Sequence, residues 1–207
     1  MTITSAQMQE IVAEISSRDE LMASVIARFP MCTLGQNRST DTHFESLVKS
    51  VISQQLSVKA ADTIYGRLVD LTGKAVTPEK VIAIPEEDMR NAGISGAKTR
   101  TIRGLAIAAV SEEIDINNLH EVEDDELVSK QLTQLWGIGS WTVDMFMMHQ
   151  LGRLDIWPTG DLGVRRGWEK IYSLGSQIEP KHLELEGEKF SPYRSVVAWY
   201  CWRAGDE

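Results

Sequence analysis

The sequence predicts an all-α protein, and three observations carry that prediction. Apolar residues recur at helical spacing along most of the 207 residues. Strand-like alternation bounded by turn signals is scarce. Cap and breaker residues divide the chain into about ten helix-length pieces, with no internal repeat, low-complexity tract or linker. The stretch 6–28 has helix-compatible composition and ends near Phe29-Pro30. A polar loop is expected over 34–40. Asp41 or Thr42 can cap a helix whose stripe is Phe44, Leu47, Val48, Val51 and Ile52. Ser53-Gln54-Gln55-Leu56 interrupts it, and Ser57 opens the next helix, through Ala61, Ile64 and Leu68 to Gly73. Thr77-Pro78 and Pro85 each start a short helix, the second closed at Gly93. Ser95 can cap a helix over 96–113. The stretch 121–135 is expected to be helical with an acid-rich first turn, as the helix dipole prefers. Helices over 141–151 and 161–172 follow. In the last helix Ser191 can cap with Pro192 in the first turn, and Tyr193, Val196, Val197, Tyr200 and Cys201 form its apolar face.

Composition excludes several function classes. The apolar content of 43% suits a soluble globular chain, and no apolar run approaches the roughly 20 residues that span a bilayer. The start of the chain, 1–20, has no basic segment leading into an apolar one, so a cytoplasmic location is expected rather than secretion. The 2 cysteines, Cys32 and Cys201, form no CxxC pair. Zinc therefore has no support, and a four-thiolate iron–sulfur cluster is arithmetically excluded within this chain. The net charge of −9 argues against a tight nonspecific nucleic-acid coat. The distribution is uneven, however. Lys98, Arg100 and Arg103 lie in an acid-free stretch, and Arg153, Arg165, Arg166 and Lys170 cluster, while the acids concentrate in 121–126 and 179–188. Such a local basic face predicts modest, strongly salt-dependent affinity for DNA.

Two segments carry chemistry. Leu135-Trp136-Gly137-Ile138-Gly139-Ser140-Trp141-Thr142 reads as a tight hairpin between two helices. Gly137 and Gly139 allow a very short turn and let a phosphate approach the backbone. The amides opening the second helix, at Gly139, Ser140 and beyond, then face the anion. The backbone carbonyls of Thr133, Leu135 and Ile138 can hold a monovalent cation, Na+ or K+, bridging to that phosphate. A Gly-x-Gly turn is equally a plain helix–helix connection. In the second segment, Pro158-Thr159-Gly160-Asp161, an aspartate is delivered at the start of a helix, where it can also serve only as the N-cap.

Taken together, Leu132-x-x-Leu135-x-Gly137-Ile138-Gly139-x-Trp141-Thr142, the helix after it and Pro158-x-x-Asp161 resemble the helix-hairpin-helix DNA glycosylase superfamily, in its DNA-3-methyladenine glycosylase II branch. Val51-Ile52-Ser53-Gln54-Gln55-Leu56-Ser57 resembles the family's wedge-bearing helix–loop–helix. Gly93-Ile94-Ser95-Gly96-Ala97-Lys98 resembles its second backbone-contacting region, and Pro192-Tyr193-Arg194-Ser195 its closing helix. The likeness covers about 41–203. It implies one domain over 1–207, with the hairpin motif near 124–151 and the N- and C-terminal helices forming a second lobe. The active site would lie in the cleft between the lobes.

The resemblance also assigns roles. Asp161 would stabilise the oxocarbenium-like transition state of N-glycosidic cleavage and orient the attacking water. Bifunctional relatives carry a Schiff-base lysine just before the hairpin threonine. Trp141 occupies that place here, implying a monofunctional enzyme that leaves an abasic site. The flipped base would stack on Trp141, with Trp136, Trp157, Tyr65 and Phe44 as further candidates; Trp199 and Trp202 are assigned to packing. Gln55 or Leu56 would fill the gap in the duplex, next to Gln54. Gly137, Gly139, Ser140, Thr142, Lys98 and Arg165 would contact DNA. His43 and His149 lack metal-ligand partners. The implied partner is damaged double-stranded DNA, met by a monomer with no membrane role. The implied substrates are alkylated purines, 3-methyladenine and 7-methylguanine. Deaminated or oxidised bases, or a noncatalytic DNA-binding module, are the alternatives.

Overall fold

A computed structural model describes residues 2–36 and 40–207, and among them the structure is helical with no strand. Two compact units are formed. One joins Met1–Arg38 to Met147–Glu207, and the other is Ser39–Phe146. The boundary falls inside a continuous helical stretch.

The first unit opens with α1 (Ser5–Arg18) and α2 (Glu20–Arg28). The single helix expected over 6–28 is broken at Asp19. Its backbone is extended (φ −156°, ψ 119°), and its carboxylate accepts the Met22 amide, so the residue starts a new helix rather than continuing the old one. Of the loop expected over 34–40, Leu34–Gln36 form a turn, and 37–39 lie outside the described residues. After Phe146 a π-helical turn, Met147–Leu151, leads through an irregular segment to α10 (Leu162–Ile171), α11 (Pro180–Gly187) and α12 (Arg194–Asp206). Helix α11 was not foreseen in the sequence. Ser191 does not cap α12: the helix starts at Arg194, and the Ser191 hydroxyl instead donates to Asp155 Oδ2 at 2.9 Å. Arg194 holds that start in place, donating from Nε and Nη2 to the Asp155 carboxylate at 2.8 and 3.0 Å.

The core of this unit is the contact between α10 and α12. Val164 and Trp168 face Val196, Val197, Tyr200 and Cys201, all buried. The two backbones approach so closely that a Cβ on Gly167 would lie 1.9 Å from the Cys201 carbonyl oxygen. Cys32 and Cys201 are buried free thiols.

The second unit is built on α3 (His43–Ser53), which packs against α4 (Val58–Leu71), α7 (Gly96–Val110) and α9 (Ser140–Phe146). Thr42, not Asp41, caps α3: its hydroxyl accepts the Glu45 amide while the Glu45 carboxylate accepts the Thr42 amide. Ser57 caps α4 and Ser95 caps α7, as their positions in the sequence require. The short helices α5 (Pro78–Ala83) and α6 (Glu86–Asn91) pack on α7. Helix α7 stops at Val110, short of 113. Of the helix expected over 121–135, Glu121 closes a 3-10 turn (Ile116–Glu121), 122–124 are irregular, and only α8 (Asp125–Thr133) is α-helical, with Asp124 as its cap.

Candidate DNA interface and active-site residues

In the second unit α8 and α9 meet at the turn 134–139. Gly137 has φ +82°, and a Cβ there would lie 2.0 Å from Thr101 Oγ1. Glycine at 137 is thus demanded twice, by backbone sign and by packing on α7. Gly139 is different: a Cβ there would meet nothing within 4 Å. The protein does not require glycine at 139, and its bare backbone faces open space. The Thr142 and Val143 amides donate back to the Gly139 carbonyl at 3.0 and 3.2 Å, and the exposed Gly139 and Ser140 stand ahead of them at the start of α9, the end of a helix that favours an anion. Ile138 is buried and plugs the turn into the core, while Ser140 is exposed.

Three carbonyls, those of Thr133, Leu135 and Ile138, are expected to hold a cation. Thr133 ends α8, beyond the reach of the helix's own amides. Leu135 accepts the Ile138 amide at 3.1 Å and keeps a second lone pair. Hard oxygen donors of this kind suit a monovalent cation.

The interruption after α3 is a turn closed by the Leu56 amide on the Ser53 carbonyl at 3.0 Å. Gln54 (φ −48°, ψ 123°) and Gln55 (φ 57°) give it the outline of a type II turn, in which the third position normally falls to glycine. A glutamine in the left-handed region costs about 1 kcal/mol, and strain of this kind concentrates at functional positions. Gln55 and Leu56 are exposed. Gln54 ties the turn to the hairpin: its side-chain amide donates to Thr142 Oγ1 at 2.9 Å and, at 3.4 Å, to the Gly137 carbonyl. Thr142 itself is buried and spends its hydroxyl on this contact.

The basic stretch of α7 is largely occupied within the protein. Arg103 donates to the Ile82 and Ile84 carbonyls at 3.2 and 2.8 Å, closing the end of α5. The Arg100 guanidinium lies 4.2 Å from the centroid of the half-exposed Trp136 ring. Lys98 points into the protein, onto the carbonyls of Ile52 and Gln54. Trp136 is therefore a surface residue stacked on an arginine. Phe44, 2% exposed, belongs to the core of α3. The Lys49 ammonium lies 4.7 Å from the centroid of the Tyr65 ring. Trp141, second in α9, is half-buried.

In the first unit Asp161 is the N-cap of α10, and its Oδ1 accepts the Val164 amide at 2.8 Å. The same oxygen accepts a second bond, from Trp202 Nε1 of α12 at 2.9 Å. The cap and the functional reading are thus compatible, since a carboxylate locked by its own helix also carries an indole beside it. Gly163 makes room for that indole. A Cβ there would lie 2.8 Å from Trp202 Cδ1 and 3.1 Å from Asp161 Oδ1. The His149 ring stacks on Trp202 with centroids 5.9 Å apart. Trp202, assigned to packing from the sequence, is therefore a hydrogen-bond partner of Asp161. Gly163, two residues after an acid inside a helix, was the one local sign of it. Trp157 is buried, with Nε1 donating to the Leu183 carbonyl at 2.9 Å. Arg165 Nη1 lies 3.4 Å from the Ile178 carbonyl.

This hairpin and this placed acid coincide with a known family. Residues 48–192 match the model of the HhH-GPD superfamily of base excision DNA repair proteins. The chain belongs to that superfamily, and within it to the DNA-3-methyladenine glycosylase branch. It is 33% identical over 171 residues to DNA-3-methyladenine glycosylase 1 of Schizosaccharomyces pombe, covering 81% of this chain and 75% of the relative. A crystal structure of a DNA-3-methyladenine glycosidase from Bacillus halodurans superposes with a TM-score of 0.82 at 36% identity, covering 94% of this chain and 88% of that one. A 3-methyladenine DNA glycosylase of S. pombe in complex with abasic DNA also gives 0.82, at 29% identity, covering 94% and 95%. The chain is accordingly an enzyme, a DNA glycosylase of base excision repair whose partner is DNA.

Proposed function

We propose that this protein excises 3-methyladenine and 7-methylguanine from double-stranded DNA, hydrolysing the N-glycosidic bond and leaving an abasic site. The observation that carries the reading is the doubly held Asp161, fixed by Val164 and Trp202 on one oxygen. A carboxylate preorganised in this way stabilises cationic charge on the sugar without reorganising as the charge develops. It needs no strong general acid when the leaving base is already cationic, as alkylated purines are. Its role includes orienting the attacking water. Trp141 stands where a lyase would carry its amine, so no imine forms with the sugar and the strand stays intact.

The rest of the chain serves base flipping. The hairpin amides from Gly139 grip a phosphate; the carbonyls of Thr133, Leu135 and Ile138 would hold a Na+ or K+ ion, which would supply further positive charge. Gln55, at the strained corner of its turn, fills the gap left in the stack, flanked by Leu56. Trp141 offers the aromatic face for a cationic base. Residues 1–207 are read as a single glycosylase domain. The protein works as a monomer wherever the cell keeps its DNA, in the nucleoid of a bacterium or the nucleus of a eukaryote. Among the described residues no helix is long and apolar enough to cross a membrane.

The test is base release from four duplexes, carrying methylated purines, hypoxanthine, uracil or 8-oxoguanine. Release of 3-methyladenine and 7-methylguanine well ahead of the other bases is expected. Preferential release of a deaminated or oxidised base would overturn the substrate assignment.

A further inference from the structure

The turn that presents Gln55 is held by Lys98. Its ammonium donates to the Ile52 carbonyl at 2.8 Å and to the Gln54 carbonyl at 2.7 Å. These groups belong to the last turn and cap of α3, where carbonyls lack intrahelical partners and a cation is favoured by the dipole. Helix α3 has no basic residue of its own in that turn. The ammonium therefore comes from α7, forty-odd residues away in sequence. Other bonds complete the anchoring. The Lys98 amide donates to the capping hydroxyl of Ser95 at 3.3 Å. On the far side of the turn, Gln54 reaches Thr142 of α9. Gln55, the strained residue, thus sits between two tied points.

We infer that Lys98 is a positioning residue that fixes the turn 53–56 in the form that presents Gln55 to the duplex, and that it is not a phosphate ligand. The inference rests on the reading of that turn as the element that replaces the flipped base. Two of the three ammonium hydrogens are committed to backbone carbonyls, and burial pushes the Lys98 pKa below the ordinary lysine value. Both facts describe a cation directed into the protein. Its effect on the reaction passes through the turn, so its loss should matter in proportion to how much work opening the duplex requires.

The experiment compares Lys98→Met and Lys98→Arg with wild type in two assays. The first is the salt dependence of binding to an undamaged duplex. Losing one phosphate ligand lowers the log–log slope by about 0.9; the slope is expected to stay unchanged in Lys98→Met. The second is single-turnover release of 7-methylguanine, paired in a duplex or placed in an unpaired bulge. Loss of two charge-assisted bonds should slow the paired substrate about 10- to 100-fold, with little effect on the bulge. Lys98→Arg, which keeps the charge and the donors, should recover most of the loss. Gln54→Leu cuts the other tie and should reproduce the paired-only defect, which keeps the inference testable if Lys98→Met does not fold. A slope reduced by about 0.9, with equal slowing on both substrates, would overturn it. If wild type releases no base from either substrate, the functional reading fails, and the slope still decides whether Lys98 binds phosphate.

Discussion

Gly167→Ala should destabilise the first unit sharply. The added methyl would sit 1.9 Å from the Cys201 carbonyl oxygen, 2.4 Å from its carbon and 2.8 Å from its Cα. All three are backbone atoms of α12, so no rotamer change can clear the space. An ordinary carbon–oxygen contact needs more than 3 Å, so α10 and α12 would have to part by more than 1 Å along a fully packed face. Overpacking of this kind costs about 1–3 kcal/mol, and a rigid backbone neighbour places the cost at the upper end. Replacing glycine by alanine inside a helix returns about 0.5–1 kcal/mol. The net loss is about 2 kcal/mol, a fall in Tm of roughly 4–8 °C for a chain of this size. A matched change checks the sign. Gly66, inside α4, has nothing within 4 Å of its would-be Cβ, so Gly66→Ala should raise Tm by about 2 °C. The assay is thermal unfolding followed by circular dichroism, with urea titration alongside. An unchanged or raised Tm in Gly167→Ala would refute the close α10–α12 contact on which the placement of Trp202 depends.

Further outcomes follow from the same structure. Trp202→Phe keeps the ring but removes the donor to Asp161, and should slow base release by about 10- to 100-fold, read by single-turnover kinetics, with Tm nearly unchanged. Asp155, although burial pushes its pKa up, is held below its ordinary value by the bonds from Arg194 and Ser191. A depressed folded-state carboxylate contributes stability above its unfolded value of 3.8, and that contribution is lost as pH falls through the folded value. Asp155→Asn should therefore flatten the acid limb of stability against pH, measured from urea midpoints. Burial pushes the Cys32 thiol up to about 12 and raises that of Cys201 as well. Neither should react with a disulfide reagent in the native protein, and both should react once denatured.

Much of this was legible in the sequence because local chemistry decides it. Thr42 with Glu45, Ser57, Thr77 and Ser95 are caps whose partners lie within three residues, and they mark the helix starts correctly. Asp161 was legible for the same reason, as a cap at the head of a helix. Features that depend on distant partners were not. Ser191 looks like a cap but is taken by Asp155. Lys98 and Arg103 look like a solvent-facing basic patch but serve carbonyls at the ends of neighbouring helices. Trp202 meets Asp161 across 41 residues of sequence, and no periodicity within α12 announces that contact. Phe44 and Trp157 illustrate the converse: an aromatic side chain suits a core as well as a stacking surface, and only packing distinguishes them.

The most direct test of the account is Asp161→Asn. Wild type and variant are compared for single-turnover release of 3-methyladenine and 7-methylguanine, with the DNA then analysed for strand breaks before and after alkali. The account predicts a fall in release of about 100- to 1000-fold in the variant. In wild type, breaks should appear only after alkali, as intact abasic strands require. Release that survives at the wild-type rate in Asp161→Asn would leave Asp161 as a helix cap and nothing more. Breaks formed by wild type without alkali would contradict a mechanism that proceeds without an amine.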